Sequence, residues 1–193
     1  MSFEFEPGST PLDPEEADGL KPSHIMDMAA LNEWEYANIL DAEGWAFAHR
    51  HSTVLNDAFV RELHRRMFDR CWHWAGKYRR SDKNIGAHWP TIAEGVREMC
   101  TNAVTWIEQA AFPRTEAAVR LHLRCVQIHP FVNGNGRHAR LLADVWLHGL
   151  GEPRLTWGRA ELLKRGDVRE AYLAALRQAD HGDIAALLHF ATS

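Results

Sequence analysis

Residues 129–140, HPFVNGNGRHAR, separate two apolar segments, LHLRCVQI before and LLADVWLHGL after. No other feature constrains the fold as strongly. Pro130 cannot continue a helix, because its ring removes the N–H and fixes φ. Gly134 and Gly136 flank Asn135, a composition that tolerates positive φ. Two helices must therefore meet across a short turn. Such a turn can aim consecutive backbone N–H groups at one point and form an anion nest. A helix starting there adds its unpaired N–H groups and its dipole. Arg137 and Arg140 lie three apart, so they share a side of that helix. Guanidinium forks match phosphate oxygens. His129, ahead of the turn, has the ordinary pKa of a general base at neutral pH. Phe131 reads as a core anchor, and His138 as solvated on the other side. Asn133 offers an amide oxygen, a weaker ligand for Mg²⁺ than a carboxylate. A plain glycine turn is the alternative. The coincidence of base, nest and paired arginines favours a polyphosphate site.

The flanking chain predicts helices. Leu55, Phe59, Leu63, Met67 and Cys71 recur every four residues, which predicts a helix ending near Gly76. The segment ALNEWEYANILDAEGWAFAHR predicts an earlier one, weakened by Gly44. Ile92 to about Ala111 predicts another, broken by Pro113. Thr115 is the expected N-cap of the next, which reads as buried nearly all round. The tail predicts a helix to about Ala179, a turn at Gly182 and a short last helix. Between Gly76 and Ile92, KYRRSDKNIGAHWPTI suggests a loop or short hairpin, with Tyr78 and Ile85 in strands and Ser81–Asn84 as the turn. Prolines and glycines break every possible helix in residues 1 to about 24, which read as an arm that Phe3 and Phe5 could dock. The trio Trp45, Trp74 and Trp146 reads as core, and Trp34 with them.

Composition narrows the class. The chain has 193 residues, 46% hydrophobic and 25% charged, the profile of a globular domain. A net charge of -4 gives no support for direct nucleic-acid binding. Cys71, Cys100 and Cys125 form no CxxC pair and read as reduced core thiols, consistent with a cytoplasmic protein. The N-terminus lacks the basic and apolar regions of a signal peptide, and no apolar run reaches membrane-spanning length. The 12 histidines are dispersed, with no HExxH or Cys/His metal pattern.

HPFVNGNGRHAR resembles the Fic signature, H-P-F-x-(D/E)-G-N-G-R-x-x-R, at every defined position except Asn133, where an acidic residue is usual. GKYRRSDKNIGAHWPTI is similar to the Fic flap, and REAYLAALRQADHGDIAALLHF to the end of the domain. With TPLDPEE and NEWEYANI near the start, the chain resembles the subgroup called mobile mystery protein B. The resemblance implies an all-α Fic-type helical bundle of seven or eight helices with a small β-hairpin flap. It divides the chain into an arm (1–24) and a domain (25–193), the latter with a possible regulatory helix (28–50) and a core (53–193).

The resemblance also implies a protein adenylyltransferase that moves AMP from ATP to a Tyr, Ser or Thr hydroxyl of a target protein. His129 would deprotonate the hydroxyl. Gly134, Asn135 and Gly136 would cradle phosphates, Arg137 would hold the β-phosphate and Arg140 the γ-phosphate. Mg²⁺ or Mn²⁺ would accompany ATP, with Asn133 a weak ligand, so turnover would be slow or conditional. Lys83, Asn84 and Ile85 of the flap would clamp the target. Transfer of another phosphate-containing group, or nucleotide binding without turnover, are the alternatives. Fic proteins often carry an inhibitory glutamate on a helix. No segment fits its usual pattern, but Glu35 is a candidate to reach Arg140; a solvated charge is the other reading. The subgroup further implies a separately encoded helix-turn-helix, antitoxin-like companion.

Overall fold

The computed structural model describes residues 13–25, 27–48, 54–158 and 165–193, with side chains from 166 in the last segment. The expected docking of Phe3 and Phe5 and the helix end at residues 49–50 lie outside them. The described residues form helices and loops, with no strand. In chain order the helices are α1 (Pro14–Ala17), α2 (Met28–Ala48), α3 (Asp57–Phe68), α4 (Ile92–Glu108), α5 (Arg114–Ile128), α6 (Asn135–Gly149), α7 (Arg165–Asp180) and α8 (Ala185–Thr192). A 3₁₀ turn over Trp89–Thr91 leads into α4.

Helix α6 is the axis of the bundle. Every residue from 141 to 147 is buried, because α2, α3 and α5 pack around it. The all-round burial expected of α5 thus belongs to α6, while Leu123 and Val126 of α5 are only partly buried. Helix α5 starts one residue before the expected cap: Pro113, extended at ψ 145°, takes the N-cap place itself. Helix α3 starts where Asn56 accepts a hydrogen bond from the Phe59 N–H at 2.8 Å, a side-chain cap that satisfies one orphan donor. Its periodic face buries Phe59, Val60, Leu63, His64 and Met67.

Helix α2 lies against α3. The Asn38 amide donates to the Arg66 carbonyl at 2.7 Å and accepts the Arg70 N–H at 3.0 Å. Trp45 stacks on Phe59 with ring centroids 5.7 Å apart. Trp34 is 42% exposed, against the expectation of a core position; its ring meets that of His24 edge-on, with centroids 5.2 Å apart.

Residues 13–25 run along the loop that follows α3. Lys21 N–H donates to the Cys71 carbonyl and His73 N–H to the Gly19 carbonyl, both at 2.8 Å. Against the expectation of no helix in this segment, one helical turn forms at α1. Pro14 takes its first position, where the missing N–H costs nothing, and Asp13 and Glu16 make a capping box.

The expected hairpin is a loop instead. Tyr78 forms an isolated antiparallel bridge with Phe131, and residues 81–87 do not pair with one another as strands. The loop is held against the end of α5 by two backbone bonds, Arg79 N–H to the Pro130 carbonyl at 3.0 Å and Ala87 N–H to the Ile128 carbonyl at 3.1 Å.

Candidate active site

The turn between α5 and α6 is built by its own residues. His129 ends α5 in the left-handed conformation (φ 53°, ψ 60°), uncommon for a residue with a Cβ. Such a conformation costs about 1–3 kcal/mol and persists where neighbours over-determine it. Gly134 is also left-handed, at φ 77°, and a Cβ there would lie 2.4 Å from the Phe68 ring, so only glycine fits. The Asn135 side chain closes the turn: it accepts the Phe131 N–H at 2.9 Å and donates to the Phe131 carbonyl at 2.8 Å. It is a buried brace (2% exposed) as well as the first residue of α6.

No side chain caps α6. Its first-turn N–H groups and positive dipole end are thus directed at the turn. Arg137 and Arg140 leave the first turns toward different neighbours. Arg140 lies over the Tyr172 ring, 5.0 Å from its centroid, and Arg137 over Phe68, at 4.9 Å.

His129 is buried, and its Nδ1 is enclosed. Burial lowers its pKa to about 4, with the Arg79 charge second, against an opposing hydrogen bond to the Val126 carbonyl; the Lys83 charge adds slightly. At neutral pH the imidazole is therefore uncharged and able to accept a proton. The flap backbone presses on it. A Cβ on Gly86, at φ 101°, would stand 2.6 Å from the His129 Cβ.

Several residues stand differently from expectation. Glu35 is buried and meets Arg137, not Arg140: its Oε2 lies 2.6 Å from Arg137 Nη1, and its Oε1 accepts the Trp72 indole N–H at 2.6 Å. The solvated-charge reading is overturned with it, since Glu35 is 5% exposed. The spacing of α2 against α3 puts Glu35 beside the first motif arginine, and Arg140 lies one helical turn further on, toward α7. His138 is fully buried, not solvated. Its Nε2 donates to the Val60 carbonyl at 2.9 Å, because α3 closes the side of α6 that the local pattern left open. Lys83 does not project from the flap: its ammonium lies 2.7 Å from Asp13 Oδ2 and 2.6 Å from Glu16 Oε2. Asn84 and Ile85 are exposed at the flap tip.

Two buried groups that touch the turn itself were not singled out from the sequence. His64 accepts the Gly76 N–H at Nδ1 (2.9 Å), so its Nε2 carries the proton and donates to the Asn133 carbonyl at 3.0 Å. It stacks on Phe131 with centroids 3.7 Å apart. Its place on the apolar face of α3 was a usable signal. The other is Arg79, whose side chain is wholly buried. Nothing in KYRR marks the first arginine as the inward one.

The loop fits a resident metal poorly. The amide Oδ1 of Asn133 already accepts the Gly134 N–H at 2.6 Å and carries no charge. Among the described residues no group of three His, Cys, Asp or Glu side chains could hold a metal ion.

The Fic/DOC family model matches residues 54–147, a span from the start of α3 to the buried length of α6. The chain belongs to the Fic/DOC family. It is 32% identical over 133 residues to the protein adenylyltransferase Fic of Nematostella vectensis, covering 67% of this chain and 30% of that protein. It is 30% identical over 138 residues to the protein adenylyltransferase fic-1 of Caenorhabditis briggsae, covering 69% and 25%. The chain thus spans about a quarter to a third of the length of these curated relatives. Among solved structures, the N-terminal Fic domain of a Bartonella effector from strain AR 15-3 superposes with a TM-score of 0.69 at 15% identity, covering 98% and 93% of the two chains. BepC of Bartonella tribocorum, solved with bound AMPPNP, superposes at 0.66 and 16% identity, covering 92% and 96%. These likenesses establish the Fic fold for the helical bundle. No described helix is long and apolar enough to cross a membrane.

Proposed function

We propose that this chain transfers AMP from ATP to a hydroxyl side chain of a target protein. One observation carries the reading. An uncharged, buried histidine stands directly before a left-handed turn and an uncapped helix start, with two arginines on that helix's first turns. The family relationship to proteins named adenylyltransferases supports it, as does the shared fold with a protein that holds an ATP analogue.

His129 accepts the target hydroxyl proton at Nε2, since Nδ1 is enclosed. The resulting oxygen forms a bond to the α-phosphorus as the bond from that phosphorus to the bridging oxygen breaks, and pyrophosphate leaves. The N–H groups around Gly134, Asn135 and Gly136 hold the phosphates. Arg137 and Arg140 take up charge on the outer ones. Asn84 and Ile85 meet the target at the flap tip. Asn133, uncharged and already bonded to the Gly134 N–H, offers a metal no more than a weak amide oxygen.

Glu35 competes with the nucleotide for Arg137 and makes turnover conditional. Replacing it with glutamine should tighten ATP binding, measured by calorimetry; unchanged affinity would remove Glu35 from regulation. The main test uses labelled ATP with a host lysate, read by mass spectrometry. Wild type should add AMP to a hydroxyl residue and His129→Ala should not. A target that gains a different mass would redirect the reading to another transferred group. Binding of ATP with no product would favour a nucleotide-binding module, a reading that the Glu35–Arg137 pair and the neutral Asn133 support.

A further inference from the structure

Arg79 is a buried cation whose partners are nearly all backbone carbonyls. Its Nε donates to the His129 carbonyl at 2.7 Å and its Nη1 to the Ser81 carbonyl at 2.7 Å. Its Nη2 donates to the Ala87 carbonyl at 2.5 Å and, more weakly, to the Ile128 carbonyl at 3.4 Å. The carboxylate in reach, Asp82, is 3.6 Å from Nη1 and itself half exposed. Burying a guanidinium is costly unless its donors are met. Here they are met by both ends of the flap and by the end of α5. Those carbonyls belong to His129, in its left-handed conformation, and to the loop whose Gly86 presses on the His129 Cβ.

We infer that Arg79 is a positioning residue: its planar fork joins the flap to the strained carbonyl of His129, so that imidazole and target-binding edge move as one body. The inference rests on the transferase reading for its consequence in catalysis, but not for its geometry. Lysine cannot replace it, because one ammonium cannot donate in a plane to carbonyls on opposite sides. The Arg79 and Lys83 charges both face His129, and loss of Arg79 removes the larger.

The test uses the full chain by NMR and hydrogen exchange. In Arg79→Met and Arg79→Lys, the Ala87 amide should exchange at least about tenfold faster than in wild type, with α5 and α6 core amides unchanged. The His129 ring in Arg79→Met should titrate well above its wild-type value as the flap leaves it. If either variant does not fold, wild type alone still decides. The Arg79 Nε–H should exchange about a hundredfold more slowly than that of an exposed arginine and at the Ala87 rate. Wild-type flap exchange in both variants, full rescue by lysine, or a fast-exchanging Arg79 Nε–H overturns the inference. Where the labelling assay gives product, Arg79→Lys should lower kcat about a hundredfold and leave KM for ATP within threefold. An inactive wild type would instead overturn the transferase reading, and the exchange results would still stand for Arg79.

Discussion

The motif turn and the flap lie side by side over His129 but are held by opposite means. The turn is fixed by neutral, buried partners, one close in sequence, Asn135 on Phe131, and two distant, Gly134 under Phe68 and His64 on Asn133. The flap is fixed by cations that reach distant segments: Arg79 to the end of α5, and Lys83 to Asp13 and Glu16, 70 and 67 residues away. A turn of the first kind is rigid in any condition that keeps the core. A loop of the second kind is sensitive to charge and to whatever displaces the N-terminal segment.

Among single substitutions, the largest expected effect breaks the turn. Gly134→Ala adds a strained φ and a clash with Phe68, together about 2–5 kcal/mol of lost stability by denaturant unfolding. Asn135→Ala leaves the buried Phe131 N–H and carbonyl unmet and should cost about 2–4 kcal/mol by the same measurement. Either variant unfolding at the wild-type midpoint would mean the turn is not braced as described.

Acid acts on four buried rings together. His64, His122, His129 and His138 are all buried with pKa values below the ordinary 6.5, chiefly by desolvation: His122 to about 3, His129 and His138 to about 4, and His64 well below. Below about pH 6.5 the unfolded chain takes up protons that the folded one refuses. Stability is therefore complete above that pH and falls below it, by about 1.4 kcal/mol per pH unit for each histidine in its window. Thermal scans from pH 8 to 4 should show the loss beginning near 6.5. A midpoint constant to pH 5 would argue that these rings are hydrated.

The flap comes after these in stability. Lys83→Met removes an ammonium that is 5% exposed and leaves Glu16, 15% exposed, without its cation, so it should cost about 1–3 kcal/mol and speed exchange of the flap amides. Identical flap exchange would show that the ion pairs do not hold it. The smallest effect expected is that of Asn133→Asp, which can keep the Gly134 N–H bond and adds a charge. Unfolding should shift by less than about 1 kcal/mol, and ATP binding should become more dependent on Mg²⁺. Equal metal dependence would show that position 133 faces no metal.

The helices of the core were legible because their apolar residues repeat at helical spacing and Pro113, Pro130 and Gly182 punctuate them. The His129–Arg140 turn was legible because left-handed backbone demands glycine and a helix start that holds anions needs little besides its own N–H groups. Both are local requirements, written in adjacent residues. The partner of Glu35, the burial of His64 and His138, the inward course of Arg79 and the engagement of Lys83 were not legible. Each depends on how far α2 slides along α3, or on where a distant segment crosses a loop. A charged or titratable side chain carries no local mark of whether it meets water or a partner. Sequence alone thus determined the bundle, its central turn and the kind of chemistry it suits. The tertiary structure decided which charges are paired, because pairing depends on segments far apart in the chain.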